Sequence, residues 1–367
     1  MRRRNALRLG ALAGGAALGA LAGCLESLER EDAWRRLVVD PPEGVYVPPK
    51  MDEMVAYGTE TVDGREIAVL ATRPHSFWTV TGDERSRADL HDDHSLHLMV
   101  RVRDVATNAI VPTAVTVDAR RDGERVDRRT LWPMLSQRMG FHYGDNVALA
   151  GGGTYEVTVR VGGADCRTAG ALADPLEQPV TTTVALEFSS EEIESLNRTL
   201  VGADERDEGN ALEPMGATDG DRDRDRPAAV APPIGSLPGD RVGVGTGDDL
   251  RFPAVVVDGV RGVTGGPYLA VVPQTAYNGY SLPFASLTVT GRNGGQTVVD
   301  ESARETIAPE LGHHYGLALE GLEADRVEDI SFTLEPPQVA RHEGYETAFL
   351  EPEGVRLALE GDILASQ

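Results

Sequence analysis

The chain has 367 residues, 41% of them hydrophobic, which is enough for sizeable cores, and a formal net charge of −24. Lysine occurs once, at Lys50, among 35 basic residues. The chain therefore lacks the basic patches that phosphate recognition needs, and this argues against a nucleic-acid partner. An acidic surface with arginine in place of lysine matches proteins of salt-loving archaea, where salt screens self-repulsion, or an acidic protein from a GC-rich genome.

Residues 1–24 read as an export signal and are set aside from the fold. Arg3-Arg4-Asn5-Ala6-Leu7-Arg8 fits a twin-arginine pattern, and the Gly/Ala/Leu stretch behind it is too short for a stable membrane span. Leu21-Ala22-Gly23-Cys24 reads as a lipobox. Cleavage before Cys24 leaves a lipidated cysteine that anchors the protein to the extracytoplasmic face of the membrane without spanning it. An ordinary signal peptide with an incidental cysteine is the alternative. With Cys24 used as an anchor only Cys166 remains, so no internal disulfide is expected. Residues 25–58, with Pro41, Pro42, Pro48 and Pro49, read as a tether.

Residues 59–188 carry short β-branched or alternating runs, Glu66–Leu70, Ser95–Arg103, Ala114–Ala119, Thr154–Val161 and Thr181–Phe188, separated by turn residues. This pattern predicts an antiparallel β-sandwich. Side chains alternate along a strand, so Leu96, Leu98, Val100 and Val102 share the core face, while His97 and Met99 look outward together. The stretch Leu131–Leu149, read as a loop, brings Met134, Met139 and His142 within nine residues. A thioether beside an imidazole suits copper and tolerates iron or zinc; gap-filling methionine beside a surface histidine is the bland reading.

The same stretch resembles the periplasmic ferrous-iron transport proteins, copper- and iron-binding β-sandwich proteins that serve bacterial iron permeases. Pro133-Met134 and Gly140-Phe141-His142-Tyr143-Gly144-Asp145-Asn146-Val147-Ala148-Leu149 follow the family's signature, with Trp132 in place of its first methionine. The family's upstream H-L-E stands here as His97-Leu98-Met99. The resemblance implies an immunoglobulin-like fold, a site including His97, Met99, Met134 and His142, an iron or copper ion, and a membrane iron permease as partner. It also implies a third histidine in a proline-rich turn. The matching turn, Gly162–Thr168, has Thr168 there, with Cys166 as a possible substitute. His91 and His94, around Asp92 and Asp93, read as an exposed acidic turn or a metal lure.

Residues 189–240 read as a short helix, Glu191–Leu200, followed by an acidic flexible linker, Gly202–Arg241. Asn197-Arg198-Thr199 is a glycosylation sequon. Residues 241–367 then echo the first half: His313-His314-Tyr315-Gly316 follows His142-Tyr143-Gly144 at an offset of 172, and Leu282-Pro283 follows Val111-Pro112 at 171. Such agreement predicts a degenerate second sandwich. At these offsets Tyr268 stands for His97, Ala270 for Met99 and Thr306 for Met134, yet Pro336–His342 has the third-histidine turn. The family's two-fold dimer, implied by the resemblance, suggests an internal pseudo-dimer in which His342 completes the first half's site. Three functions compete: a lipid-anchored metal-binding protein of iron uptake, a structural or protein-binding sandwich with vestigial sites, and a metal-dependent oxidase. No nucleophile elbow, zincin helix or nucleotide loop occurs, so an enzyme is not expected.

Overall fold

The computed structural model describes residues 41–202, 211–215, 229–247, 249–322, 327–352 and 354–359. The export signal and Cys24 lie outside the described residues. Contacts divide the chain into Met1–Pro42 and Glu43–Gln367, and every described strand lies in the second unit. Among the described residues no helix is long and apolar enough to cross a membrane.

The architecture is all-β, as expected. In chain order the first half runs β1 (Lys50–Asp52), β2 (Val55–Val62), β3 (Arg65–Thr72), β4 (Phe77–Thr81), β5 (Glu84–Ala88), β6 (Leu96–Asp104), β7 (Thr113–Arg121), β8 (Glu124–Thr130), β9 (Trp132–Ser136), β10 (Gly140–Val147), β11 (Gly153–Ala164), β12 (Arg167–Thr168), β13 (Val180–Phe188) and β14 (Arg198–Leu200). The second half runs β15 (Asp240–Gly247), β16 (Leu250–Val257), β17 (Tyr268–Val271), β18 (Gln274–Thr275), β19 (Leu287–Asn293), β20 (Gln296–Ala308), β21 (Gly312–Ala318), β22 (Asp329–Leu334), β23 (Ala340–Arg341) and β24 (Val355–Ala358).

One sheet has the order β2-β3-β6-β10-β9-β23-β4-β5 and faces a second of order β13-β11-β7-β8. The strip β15-β16-β17-β21-β20 repeats the arrangement β2-β3-β6-β10-β9, and the long β20 carries it on into β19-β22-β24. Each half lends the other a two-residue strand. Parallel to β9, β23 sets Ala340 opposite Met134 and Arg341 opposite Leu135; parallel to β20, β12 sets Arg167 opposite Thr306 and Thr168 opposite Ile307.

Parity along β6 behaves as the sequence requires, with Leu96, Leu98, Val100 and Val102 in the core. That core is continuous, running from Ile67 and Val69 through Tyr143 and Tyr280 to Phe332 and Val355. The stretch expected as a loop is the hairpin β9–β10. The expected boundaries also shift. Residues of the tether already form β1 and β2, and the expected helix is Ser190–Ser195, capped by the Ser189 hydroxyl accepting from the Glu192 amide, before the chain extends into β14. The described parts of the expected flexible linker are docked: the Met215 amide donates to Arg138 O, the Leu212 amide to Gln137 Oε1, and Ala229 and Ala231 are buried. Apolar burial, not composition, decides this, since small alanines flanked by prolines fit a crevice that charged residues cannot.

Candidate metal centre

Three elements of the first sheet and the β3–β4 loop converge on its outer face. The hairpin places Met134 directly opposite His142, and β6 places His97 opposite Asn146. Strand β23 brings Ala340 beside Met134, so His342, two residues on, faces the same way, its amide donating to Leu135 O. His75 reaches in from the loop. His97, Met134 and His142 are fully buried and His342 is 7% exposed, because β23 and β4 cover what would otherwise be a solvated sheet face.

The motif around His142 is explained residue by residue. Gly140 has φ +66°, which permits the tight turn, and its carbonyl accepts from His142 Nδ1 at 2.9 Å. The Tyr143 hydroxyl donates to Val111 O and accepts from the Thr113 amide, both at 2.9 Å, tying the hairpin to the strand behind it. At Gly144 a Cβ would lie 2.8 Å from His97 Nε2 and 3.0 Å from Met134 Sδ, so only glycine leaves both donors in place. Asn146 Oδ1 accepts from His97 Nδ1 at 3.0 Å while its amide group donates to His75 O at 2.8 Å, holding two rings at once.

These bonds fix the tautomers. His75 Nδ1 donates to Arg73 O at 3.0 Å, so the Nδ1 atoms of His75, His97 and His142 all carry their protons outward and their Nε2 lone pairs point inward. His342 meets two of them, Nδ1 to His75 Nε2 at 3.1 Å and Nε2 to His142 Nε2 at 3.3 Å. A neutral imidazole has one N–H, so one of those contacts sets lone pair against lone pair. His97 Nε2 has no hydrogen-bond partner at all. Burial holds His75 and His142 down to about 4, and pushes His97 and His342 well below the usual histidine range, first by desolvation and then by neighbouring rings. A proton therefore does not neutralise these lone pairs at pH 7.

Among the described residues no group of three or more His, Cys, Asp or Glu forms a ready-made ion site; the rings lean on one another instead. Metal–nitrogen bonds of about 2.0–2.1 Å in a tetrahedron separate the ligand nitrogens by about 3.3 Å, the spacing at which His342 Nε2 and His142 Nε2 already lie. His75 meets the other nitrogen of His342, so it joins an ion held by that pair only after a ring turns. Inward lone pairs, an orphaned buried nitrogen and a glycine cradle fit a cation. None of the hydrogen bonds that hold the rings runs to a carboxylate, so imidazole and thioether are the donors on offer, a set that favours copper.

Residues 92–175 match the model of the family described as Fe2+ transport protein. Residues 235–358 match one described as Domain of unknown function (DUF7350). Two solved structures of FetP from uropathogenic E. coli strain F11, one as isolated and one a copper-bound variant, are each 18% identical to this chain, with a TM-score of 0.29. They cover 37% of this chain and 96% and 97% of their own. No curated protein matches.

The other sequence-predicted residues lie elsewhere. Met99 shares the outer face with His97 but packs with Met139, Ala68 and Leu70, with Met54 and Met215 against them. Cys166 is half-buried, its thiol pushed up by burial. His91 and His94 sit on a surface turn, away from the four converging rings. His75 was not anticipated. It follows Pro74 just past the end of β3, and its being one of only eight histidines was the available signal.

The second half repeats the scaffold with one donor, His314, left in place. Thr306 lies opposite His314 as Met134 lies opposite His142, and His314 Nδ1 donates to Gly312 O at 3.0 Å. The Tyr268 hydroxyl fills the centre, donating to His314 Nε2 at 3.1 Å. The residue equivalent to His342 is Ala169, not Thr168 as the resemblance implied. Ala169 donates its amide to Ile307 O as His342 does to Leu135 O. Ala169, Val260, Tyr268, Ala270 and Leu311 pack as an apolar cluster.

Proposed function

We propose that this chain is an extracytoplasmic, lipid-anchored metal-binding protein of iron uptake, in which His75, His97, Met134, His142 and His342 hold a copper or iron ion as cargo. The observation that carries this reading is the insertion of β23, which delivers His342 between His75 and His142 from 267 and 200 residues away in the chain. The match of residues 92–175 to the Fe2+ transport protein model supports the iron-uptake context. The thioether and the lack of a carboxylate support copper as the ion held. The ion is bound rather than used in turnover, and the partner is a membrane iron permease. Reciprocal strand exchange supports an internal pseudo-dimer derived from a duplicated sandwich. The vestigial-site reading is favoured by one observation, the Tyr268 hydroxyl in the second centre, and applies to that centre alone.

The test is copper and ferrous-iron titration of the full chain lacking residues 1–24, beside its His342→Ala variant. At least tenfold weaker copper binding in the variant is expected. Equal affinity would remove His342 from the site. Sustained turnover of ferrous to ferric iron by the wild type would instead support the oxidase reading.

A further inference from the structure

Six methionines follow the initiator, and four of them gather in one place. Met99 comes from β6, Met139 from the β9–β10 turn, Met54 from the residue before β2, and Met215 from the docked segment 211–215, whose amide donates to Arg138 O at 2.7 Å. Met99 and Met139 are buried, at 1% and 3% exposure, while Met54 and Met215 are half-buried, so the cluster reaches from the interior to the surface. A purely apolar role would be served as well by leucine or valine, which have fewer rotamers to freeze.

The second half supplies the comparison. Its equivalent positions follow from the strand pairings: Tyr268 is to Val257 as His97 is to Thr72, and Gly312 follows Leu311 as Gly140 follows Met139. Where the first half has Met99 and Met139, the second has Ala270 and Leu311, and Gly239 takes the place of Met54 ahead of its edge strand. Thus the centre that keeps a single imidazole, His314, lacks these methionines as well. Packing alone does not couple the two losses, because Ala270 and Leu311 fill the same scaffold.

Met99 also lies directly across from Gly144 on β10, the glycine whose open space adjoins His97 Nε2 and Met134 Sδ. The methionine cluster therefore abuts the imidazole centre along one sheet face. Thioethers are soft, neutral donors on flexible chains, suited to monovalent copper and poor for ferrous iron or zinc.

We propose that Met54, Met99, Met139 and Met215 form a second, thioether site for a soft monovalent cation, the cuprous ion, opening to solvent at Met54 and Met215 and adjoining the imidazole centre. The site stands whether or not the imidazole centre binds metal. Silver ion in chloride-free buffer is the probe, as a redox-inert stand-in for cuprous copper. The full mature chain, labelled at its methionine ε-methyl groups, is titrated and followed by NMR and native mass spectrometry. The expected result is two bound silver ions per chain, with shifts of the Met54, Met99, Met139 and Met215 methyls as well as Met134. A Met99→Leu/Met139→Leu variant, a volume-conserving change that cores tolerate, is expected to keep one ion and the Met134 shift alone. If only the Met134 methyl moves in the wild type, or the double variant still takes two ions, the thioether site is refuted. Loss of the Met134 shift with the other four intact would instead remove the imidazole centre and leave this one.

Discussion

Replacing Gly144 by alanine tests the centre with one methyl group. The backbone there is ordinary strand, not the left-handed region, so alanine is locally tolerated and by propensity stabilising by about 0.5–1 kcal/mol. Any loss must come from what the new Cβ meets: His97 Nε2 at 2.8 Å, Met134 Sδ at 3.0 Å and Leu98 O at 3.3 Å. Ordinary carbon contacts begin near 3.5 Å, so both donor atoms must retreat by roughly half an ångström or more. Overpacking of this kind costs about 1–3 kcal/mol, leaving a net destabilisation of roughly 0–2.5 kcal/mol, read as a shifted denaturation midpoint. Copper affinity should fall further, by roughly 10–100-fold, the scale on which misoriented ligands act. Isothermal titration of the folded variant measures it. Unchanged affinity with the expected loss of stability would show that the ion does not sit between His97 and Met134. Gly316→Ala is the control: its Cβ would overlap the Tyr268 hydroxyl, so it should destabilise without touching copper binding.

The metal-free protein should weaken as pH falls from about 6.5 to about 4. His142 sits at about 4 when folded against about 6.5 unfolded, so in that window the unfolded chain binds the extra proton, a loss of roughly 3 kcal/mol from this ring; a flat stability profile by urea titration would contradict it. Tyr268→Phe leaves His314 Nε2 without its donor and should cost about 1–3 kcal/mol while leaving copper affinity unchanged. A chain ending at Phe188 loses β23 and the second half's share of the continuous core, and should show no cooperative melting transition; a sharp transition would mean the first half packs alone.

Period-two patterning in Leu96–Val102 and the Gly140–Leu149 motif were legible in the sequence because each residue there answers a local demand: a turn, a tether, a space. The covering of the site was not. Strand β23 is two residues long, too short for any periodicity, and its partner strand is about 200 residues away. Charge and proline content made 202–241 read as free chain, whereas the Ala231 amide donates to Gly279 O and the Ser281 amide to Ala229 O, pinning one end between strands. Met99 was placed on the correct face by parity, but which cluster it joins depends on Met54 and Met215, and no local pattern links those.

Strand exchange also changes how the lost donors are read. Along the sequence they look scattered, since the first half lacks a histidine in its Gly162–Thr168 turn while the second lacks His and Met at 268 and 306. In space Tyr268 and Thr306 both meet His314, and Ala169 and Val260 pack in one apolar cluster with Tyr268. Each centre draws on both halves, so the donor missing at Ala169 of the first half impoverishes the centre formed mainly by the second. The substitutions therefore track a site rather than a half. One composite centre keeps four imidazoles and a thioether, and the other is closed by a tyrosine hydroxyl and an apolar cluster. Such an arrangement lets the second half persist as more than a remnant, because without it the surviving centre would lose His342 and the strand that shields it from water.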